Sequence, residues 1–524
     1  MKITLISVSP SPADQGIRTI SSVLKKAGYE VKLVFMRLDT DYSKLYDEKE
    51  LSQLSKLCSD SSLIGINAFA SNSKRTIQII KFLRKKLNIP ICWGGVHATI
   101  SPEDCIKYSD IVCVGEGEGA IIDLSKAIEG KKPIENIKNL WIRKGDKIIK
   151  NPVRDLIDNL DIIPFPDYDL KNHYILKENQ IKKMVNKDLF QNIMFLTGRG
   201  CPYGCDYCSN STLNELYKNK RKKIVRSHSI DYIIKFLRFL KEKFPEEFNY
   251  ADLRDDVFLL RPIEEIKKFT ERYKKEINLP LRCLTSPEAT NDEKIKLLID
   301  AGCIEISMGI ESSERVNKEI YHRNSTDNSV LNAAKILNKY KERLVITYDI
   351  LACNPYEKLE DTLNTINLLK KVPKPYYLNV CNLVFFPGSK LYDRAKNDGI
   401  IKTEKDTSIH LNYADRCGHI LSRRKNINVY LNLILNLMRG NVTDRKYGIL
   451  SNSLLNFLTE EKRVKNYSKK PFLAIMFIYS LKRYEMLKNV LIKVYLSLPR
   501  FVRMMYIRLR HGNDLHYLNL EKFR

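Results

Sequence analysis

The sequence predicts an α/β protein made of two successive domains and a basic, mainly helical C-terminal region. Strand and helix patterns alternate over the first 150 residues, and six further strand-then-helix units follow between residues 192 and 398. Lys and Arg then accumulate towards the C-terminus. We therefore expect a first domain at 1–150, a linker at 151–188, a second domain at 189–400 and a C-terminal region at 401–524.

The first domain is predicted to be a Rossmann-like, doubly wound parallel sheet. Short apolar runs alternate with amphipathic stretches, as β-α-β connections require. The strand patterns lie at residues 2–8, 30–36, 63–67, 89–93 and 110–114, and the helix patterns at 16–27, 73–86, 102–106 and 118–129. In sheets of this kind, ligands bind beyond the carboxyl ends of the strands.

Glycine-containing loops follow several of these predicted strands. The loops that end the strands are residues 9–15, 68–72, 94–99 and 115–118. Glycines at 94, 95, 115 and 117 would let the backbone approach a large ligand closely. A nucleotide is one candidate, but the sequence contains neither GxGxxG nor GxxxxGK[ST].

The second domain is predicted to be a partial (β/α)6 barrel of the TIM type. Its strand patterns lie at residues 192–196, 250–253, 281–284, 303–308, 344–350 and 378–386, and its helix patterns at 230–243, 263–275, 291–301, 329–340 and 359–370. Functional sites of such barrels gather at the carboxyl ends of the strands. Polar residues follow most of the predicted strands, so a site is expected at that end.

Three cysteines lie within eight residues, directly after the first of these strands. Cys201, Cys205 and Cys208 form a CxxxCxxC pattern in the segment RGCPYGCDYC. Thiolates hold iron–sulfur clusters, and three ligands on a four-iron cluster leave one iron open for chemistry. A zinc site and a chance grouping among the 12 cysteines are the alternatives, although no second cysteine pair follows as zinc sites usually require.

The CxxxCxxC pattern after a strand, with Tyr207 just before its last cysteine, resembles the radical S-adenosylmethionine (radical SAM) superfamily. The resemblance implies that Cys201, Cys205 and Cys208 ligate a 4Fe-4S cluster whose open iron binds S-adenosyl-L-methionine. Reductive cleavage would then give a 5′-deoxyadenosyl radical. It also implies an external electron donor such as flavodoxin or ferredoxin.

The resemblance further implies residues that bind SAM. Asp255 or Asp256, after the second strand, would accept a hydrogen bond from the SAM ammonium group. Glu311 and Ser312 match a GxES signature that lies near the ribose and methionine parts of SAM. The alternatives are structural, because the aspartates could cap a helix and Glu311 could simply end a strand.

Asn354 and Tyr207 also match the pattern of the superfamily, with one departure next to Asn354. Asn354, which precedes a proline, resembles a GxP-type turn that lies against adenine, but Cys353 stands where that turn usually has glycine. Tyr207 is expected to contribute to the cofactor site beside the cluster.

The first domain resembles the cobalamin-binding domain that precedes the barrel in one large class of radical SAM proteins. Three segments carry this resemblance: the motif GGxH at 94–97, the motif GEGE at 115–118 and the linker NLDIIPFPD at 159–167. It implies that cobalamin contacts the loops ending the strands, at Phe69, Asn72, Gly94, Gly95, His97, Gly115, Glu116 and Gly117. DxHxxG is absent, so His97 is expected to be a loop or cofactor-edge residue rather than a cobalt ligand.

These resemblances imply a cobalamin-dependent radical SAM enzyme that methylates an unactivated carbon through methylcobalamin. Radical cyclisation or rearrangement of a hydrophobic, lipid or tetrapyrrole-like substrate is the alternative. RNA methylthiolation is less favoured, because Cys58, Cys92, Cys105 and Cys113 lack the triad spacing of that class. A cobalamin-sensing protein without enzymatic activity is disfavoured by the complete cluster motif.

The charge of +27 is concentrated near the C-terminus. Residues 421–524 contain 21 Lys and Arg against 6 Asp and Glu, a net charge of +15. Segments 471–481 and 500–510 either cap the barrel with a solvated basic face or lie on an anionic membrane surface, with a lipid as substrate. No nucleic-acid-binding appendage is evident. Twelve cysteines and no signal peptide predict a cytoplasmic, anaerobic enzyme, with the inner membrane face as an alternative site.

Overall fold

The computed structural model describes residues 1–9, 11–36, 42–189, 193–219, 223–255, 258–411, 420 and 427–468. The first domain is built on a nine-stranded sheet. In chain order its strands are β1 (Lys2–Ser7), β2 (Glu30–Phe35), β3 (Leu63–Asn67), β4 (Ile91–Gly94), β5 (Ile111–Cys113), β6 (Leu140–Lys144), β7 (Lys147–Lys150), β8 (His173–Lys177) and β9 (Gln180–Lys183). Their spatial order is β7-β6-β5-β4-β3-β1-β2-β8-β9.

The centre of this sheet is parallel and doubly wound, as predicted. β1 pairs in parallel with both β2 and β3, and β4 and β5 continue outward from β3. Because β1 lies in the middle, the connections run to both sides of it, and their helices cover both faces. The helices are Gln15–Lys26, Glu48–Cys58, Ser73–Lys86, Val96–Ile100, Pro102–Ile106 and Glu118–Glu129.

Antiparallel hairpins extend both edges of the sheet. β6 and β7 follow β5, while β8 pairs in parallel with β2 and antiparallel with β9. β8 and β9 lie inside the predicted linker at 151–188, so this part of it belongs to the first domain. An uncovered β2 would present unpaired backbone groups at the sheet edge, and β8 satisfies them.

The second domain contains six parallel strands, as predicted. Its strands in chain order are β10 (Met194–Phe195), β11 (Gly198–Arg199), β12 (Arg226–Ser227), β13 (Ala251–Leu253), β14 (Leu281–Thr285), β15 (Cys303–Glu311), β16 (Val345–Ala352) and β17 (Tyr376–Asn382). The barrel sheet has the order β10-β13-β14-β15-β16-β17, while β11 and β12 form a separate antiparallel ribbon. The outer helices are Ile230–Lys243, Ile263–Arg272, Asp292–Asp300, Asp327–Asn338, Leu359–Lys371 and Lys390–Asn397.

The C-terminal region extends the barrel sheet rather than forming helices alone. β18 (Gly440–Val442) pairs antiparallel with β17, and β19 (Lys446–Tyr447) and β20 (Leu450–Ser451) follow. The described helices of this region are Val429–Met438, Asn452–Leu458 and Glu461–Ser468. Segments 471–481 and 500–510 lie outside the described residues. No helix in the described part of the chain is long and apolar enough to cross a membrane.

Candidate functional site

The three cysteines of the CxxxCxxC motif lie on one loop at the carboxyl end of β10. Cys201 and Cys205 are buried and Cys208 is half-buried. The amide of Cys208 donates to the carbonyl of Cys205 at 3.0 Å, and helix Ser209–Leu216 begins directly afterwards. Asn214, on this helix, donates from Nδ2 to the carbonyl of Cys201 at 2.8 Å, which holds the loop against the helix.

The three thiols of the motif are available to a metal group. No described cysteine forms a disulfide, so Cys201, Cys205 and Cys208 can ligate iron.

Asp255 follows β13 and lies beside the entry to the cluster loop. Its carboxylate accepts from the amides of Thr197 at 2.5 Å and Gly198 at 3.1 Å, and also from the Thr197 hydroxyl. Burial raises the pKa of Asp255 to about 6. The structure thus shows Asp255 holding the backbone that leads to Cys201. Its contact with the SAM ammonium group stays a prediction, and Asp256 lies outside the described residues.

Glu311 ends β15 in a left-handed conformation with φ +67°. The strand pairing shifts between Gly309 and Glu311, which turns the carboxylate out of the regular ladder. Arg323 lies 3.9 Å from the carboxylate and donates to the carbonyl of Gly309 at 3.0 Å. Burial raises the pKa of Glu311 to about 7, with a nearby Arg323 opposing this. Non-glycine residues held at positive φ are concentrated at functional sites, which supports a cofactor role for Glu311.

Tyr207 lies next to this carboxylate, between the cluster loop and β15. Its ring packs edge-on against Tyr321, with centroids 4.8 Å apart and an interplanar angle of 79°. Burial raises the pKa of the Tyr207 hydroxyl well above its ordinary value, and the Glu311 carboxylate adds to this. The structure therefore brings Tyr207, Glu311 and the cysteine loop together, while their roles in binding SAM and the cluster stay predictions.

The side chains of Ser312 and Asn354 form hydrogen bonds within the protein. The Ser312 hydroxyl donates to Glu357 at 2.7 Å, inside the barrel wall. Asn354 donates to the Tyr321 hydroxyl at 3.2 Å and accepts from the amide of Tyr356 at 3.0 Å. Both side chains are already satisfied within the protein, so the assignment of these side chains to SAM stays a prediction.

Two glycines in the loops of the first domain stand where there is no room for a side chain. Gly95 has φ +97°, and a Cβ there would lie 1.9 Å from Oδ1 of Asn67. Gly115 has φ +85°, and a Cβ there would lie 2.1 Å from the Tyr217 hydroxyl of the second domain. Only glycine accommodates both the backbone conformation and this close approach.

Charged side chains join these loops to the cluster loop. Arg199 of β11 lies 3.1 Å from Glu116 and also pairs with Glu118. Arg226 of β12 lies 2.8 Å from Glu116, whose other oxygen accepts from the amide of Ile157 at 3.0 Å. Burial alone would raise the pKa of Glu116, but the two guanidinium groups hold it below its ordinary value. The GEGE carboxylates therefore bind protein cations, which the sequence did not predict.

An open cleft of about 440 Å³ lies between the two domains. Its walls include Gly94, Gly95, Gly115, Glu116 and Gly117 of the first domain and, from the second domain, Leu196, Arg199, Gly200, Asn214, Tyr217, Arg226, His228 and Asp255. Glycine loops on one wall and the approach to the cysteines on the other fit a large planar cofactor that faces the cluster. The residues present thus fit cobalamin.

Three residues predicted to contact cobalamin do not line this cleft. His97 is buried against Trp93, with ring centroids 5.7 Å apart. Burial lowers the pKa of His97 to about 4, so this ring is neutral. Phe69 is 48% exposed elsewhere, and the side-chain oxygen of Asn72 accepts from Arg75 at 3.4 Å. The side chain of His97 is therefore placed as a packing residue, while roles for Phe69 and Asn72 stay predictions.

Sequence reasoning missed the residues that join the domains. Arg199, Arg226 and Tyr217 meet the GEGE loop only because the β11–β12 ribbon brings distant segments together. Arg199 stands two residues before Cys201, which is the one local signal that could have drawn attention to it.

Family models match both domains of the chain. Residues 195–369 match the radical SAM superfamily, and residues 1–125 match the B12 binding domain. An uncharacterized methyltransferase of Pyrococcus horikoshii is 25% identical over 395 residues, which cover 74% of this chain and 79% of that protein. The bacteriochlorophyllide d C-8(2)-methyltransferase of Chlorobaculum tepidum is 22% identical, covering 71% and 77%.

A solved structure has a similar fold. The radical S-adenosylmethionine methyltransferase TsrM from Kitasatospora setae, solved with tryptophan and a SAM analogue, superposes with a TM-score of 0.59. The alignment covers 76% of each chain at 14% identity, and this likeness concerns the fold.

Proposed function

We infer that the chain is a cobalamin-dependent radical SAM enzyme of the methyltransferase type. From this premise we propose that it methylates an unactivated carbon of a small molecule. The observation that carries the proposal is the cleft between the domains. One wall is formed by glycine loops of the B12-binding domain, and the other by the segment that leads to the three cysteines. A substrate in this cleft can reach both cofactors.

Each part of the site has a distinct task. When bound, the cluster supplies the electron that cleaves SAM, and cobalamin supplies the methyl group. Cys201, Cys205 and Cys208 would hold the cluster, and Asp255 keeps their loop in place through Thr197. Glu311, buried and next to Arg323, is placed to accept hydrogen bonds from SAM.

Closure of the site depends on the ion pairs between the domains. Arg199 and Arg226 hold the GEGE loop against the cluster loop, and the Tyr217 hydroxyl accepts from the amide of Glu116 at 3.1 Å. These contacts keep the two walls at a constant separation. Such positioning, together with exclusion of water from a radical reaction, is what a protein adds to cofactor chemistry.

The remaining partners are also proposals. We propose an external one-electron donor, such as flavodoxin or ferredoxin, because the described chain has a single CxxxCxxC motif and no second cysteine group. The basic segments at 471–481 and 500–510 lie outside the described residues, so their contact with a membrane stays a prediction. Methylation is favoured over cyclisation because the methyltransferases reported above are matched over 79% and 77% of their length, whereas the anaerobic magnesium-protoporphyrin IX monomethyl ester cyclases that also match are covered over 37–60% of theirs.

Anaerobic reconstitution tests the proposal. The protein is loaded with iron, sulfide and hydroxocobalamin, reduced, and incubated with methyl-labelled SAM and an extract of small molecules. We expect deoxyadenosine and a product that carries the label on carbon. Deoxyadenosine without any labelled product would argue for cyclisation or rearrangement instead, and the absence of both would contradict the radical SAM assignment.

A further inference from the structure

The inner face of the barrel carries charged side chains. On β15, β16 and β17, alternate residues such as Ile306, Tyr348 and Val380 belong to the hydrophobic core under the outer helices. Because successive strand residues point to opposite faces, the intervening Asp349 and Asn379 face the barrel interior. The substrate of a barrel enzyme is bound on this side, above the strands and below the mouth.

The interior side chains of the β10 segment are accessible to solvent. Met194 and Leu196 of the β10 segment alternate with the core residue Phe195, so they face the interior as well. They remain 40% and 43% exposed, which is unusual for apolar side chains enclosed by a barrel. Leu196 also lines the cleft between the domains, so this face of the β10 segment reaches the cleft.

Two of the carboxylates near this interior are neutralised by arginines. Asp252 lies 2.9 Å from Arg254, and Glu305 lies 3.2 Å from Arg282. Strand register places these groups together, since Asp252 is the neighbour of Arg282 and Arg282 the neighbour of Glu305. These charges are therefore internally compensated.

Asp349 is held by an amide and not by an arginine. Its Oδ1 accepts from Nδ2 of Asn379, its register neighbour on β17, at 2.7 Å. Within the described residues, no Lys, Arg or His nitrogen lies within 4.0 Å of this carboxylate. An amide holds the carboxylate in one orientation but does not neutralise it. Asp349 is thus oriented by an amide and has no salt bridge within the described residues; burial raises its pKa, and the more distant Arg254 opposes this rise.

Asp349 lies close to Glu311, the residue expected to contact SAM. Asp349 is the register neighbour of Gly309, two residues before Glu311. The two carboxylates interact, because the negative charge of Asp349 adds to the rise in the pKa of Glu311 that burial causes. A cation placed between the barrel interior and Glu311 would relieve this repulsion.

We propose that Asp349, oriented by Asn379, binds a protonated amine of the substrate, while Met194 and Leu196 contact its apolar part. This inference rests on the proposed function and names the substrate class, an amine with an apolar part. The salt bridges support it: Asp252 and Glu305 are paired with guanidinium groups, so Asp349 is the carboxylate of this set that has no salt bridge within the described residues. An uncharged lipid would leave the buried Asp349 carboxylate without an ionic partner.

The chemical class of the product tests the inference. Holoenzyme is incubated anaerobically with trideuteromethyl SAM and a small-molecule extract, and the products are divided with an amine-reactive dansyl reagent before mass spectrometry. We expect the trideuteromethyl label in the dansylated fraction. A labelled product that has no amine overturns the inference while leaving methyl transfer intact, whereas no labelled product at all contradicts the proposed function.

A matched pair of variants assigns the effect to Asp349. Asp349→Asn removes the charge and keeps the shape, and we expect roughly ten- to a hundredfold less labelled amine because one charge-assisted hydrogen bond is lost. Asp300→Asn is the control, because Asp300 ends an outer helix and pairs with Arg343 at 3.2 Å. Iron and cobalamin contents verify that both variants fold. Equal yields of labelled amine from Asp349→Asn and the wild type would overturn the role of Asp349.

Discussion

Replacing Arg199 by glutamine tests whether the domains are held together by the ion pairs seen here. Arg199 pairs with Glu118 and lies 3.1 Å from Glu116. In the Arg199→Gln variant, Glu116 would still form its ion pair with Arg226, which lies 2.8 Å away. Glu118 has no second cationic partner among the described residues. The main consequence of Arg199→Gln is therefore a carboxylate at Glu118 that has lost its charge partner.

The size of the effect follows from burial. Side-chain exposure is 29% for Arg199, 17% for Glu116 and 9% for Glu118. Removing one partner of a fully buried pair costs about 3–5 kcal/mol, whereas an exposed pair contributes less than about 1 kcal/mol. Since Arg199 is partly solvated, water would partly replace it, and we expect a loss of about 2 kcal/mol in the free energy of unfolding.

A double-mutant cycle measures this coupling. Urea unfolding of the wild type, Arg199→Gln, Glu118→Gln and the double variant gives the interaction energy, which we expect to be about 1–2 kcal/mol. The affinity for hydroxocobalamin, followed by absorbance, should also fall in Arg199→Gln, because Gly115 and Gly117 flank Glu116 in the cleft. Additive effects of the two substitutions, with unchanged cobalamin affinity, would refute the reasoning.

Three further predictions follow from the site. Alanine at Cys201, Cys205 or Cys208 should abolish cluster binding and deoxyadenosine formation; a triple variant that still cleaves SAM reductively would contradict the cluster assignment. His97→Ala should leave the absorption spectrum of bound cobalamin unchanged, because His97 packs on Trp93 outside the cleft; a shifted cobalt spectrum would make it a ligand. Burial raises the pKa of Glu357 to about 7. Between about pH 4.3 and about pH 7, the native Glu357 carboxyl therefore keeps a proton that the unfolded chain has lost. The free energy of unfolding falls as pH rises through this range. Glu357→Gln should remove up to about 3 kcal/mol of that fall, measured as the difference in unfolding free energy between pH 5 and pH 8; an unchanged pH dependence would show that Glu357 is ionised in the native state.

Local patterns were sufficient for the parts of the site that depend on neighbouring residues. The three cysteines lie within eight residues, so their spacing alone brings them onto one loop after a strand. The six parallel strands were also predictable, since each is a short apolar run followed by an amphipathic helix. Glu311 could be placed at a strand end for the same reason, and the structure puts it beside Tyr207.

Predictions that depended on the direction of a side chain were less secure. Ser312 follows Glu311, but its hydroxyl donates to Glu357, which comes from a segment 45 residues further on. His97 stands in a motif next to the cleft, yet its ring faces Trp93. A one-residue change along a strand or turn reverses the face to which a side chain points, and a motif does not record that choice.

The sequence by itself therefore determined the two α/β domains, the cysteine loop and the glycine loops, because each is encoded by short-range spacing. Only the tertiary structure decided that Arg199 and Arg226 neutralise the GEGE carboxylates, that β8 and β9 belong to the first sheet, and that Asn379 orients Asp349 in the barrel. Those contacts join segments far apart in the chain, and ion pairing is settled by distance and burial, which only the folded chain defines.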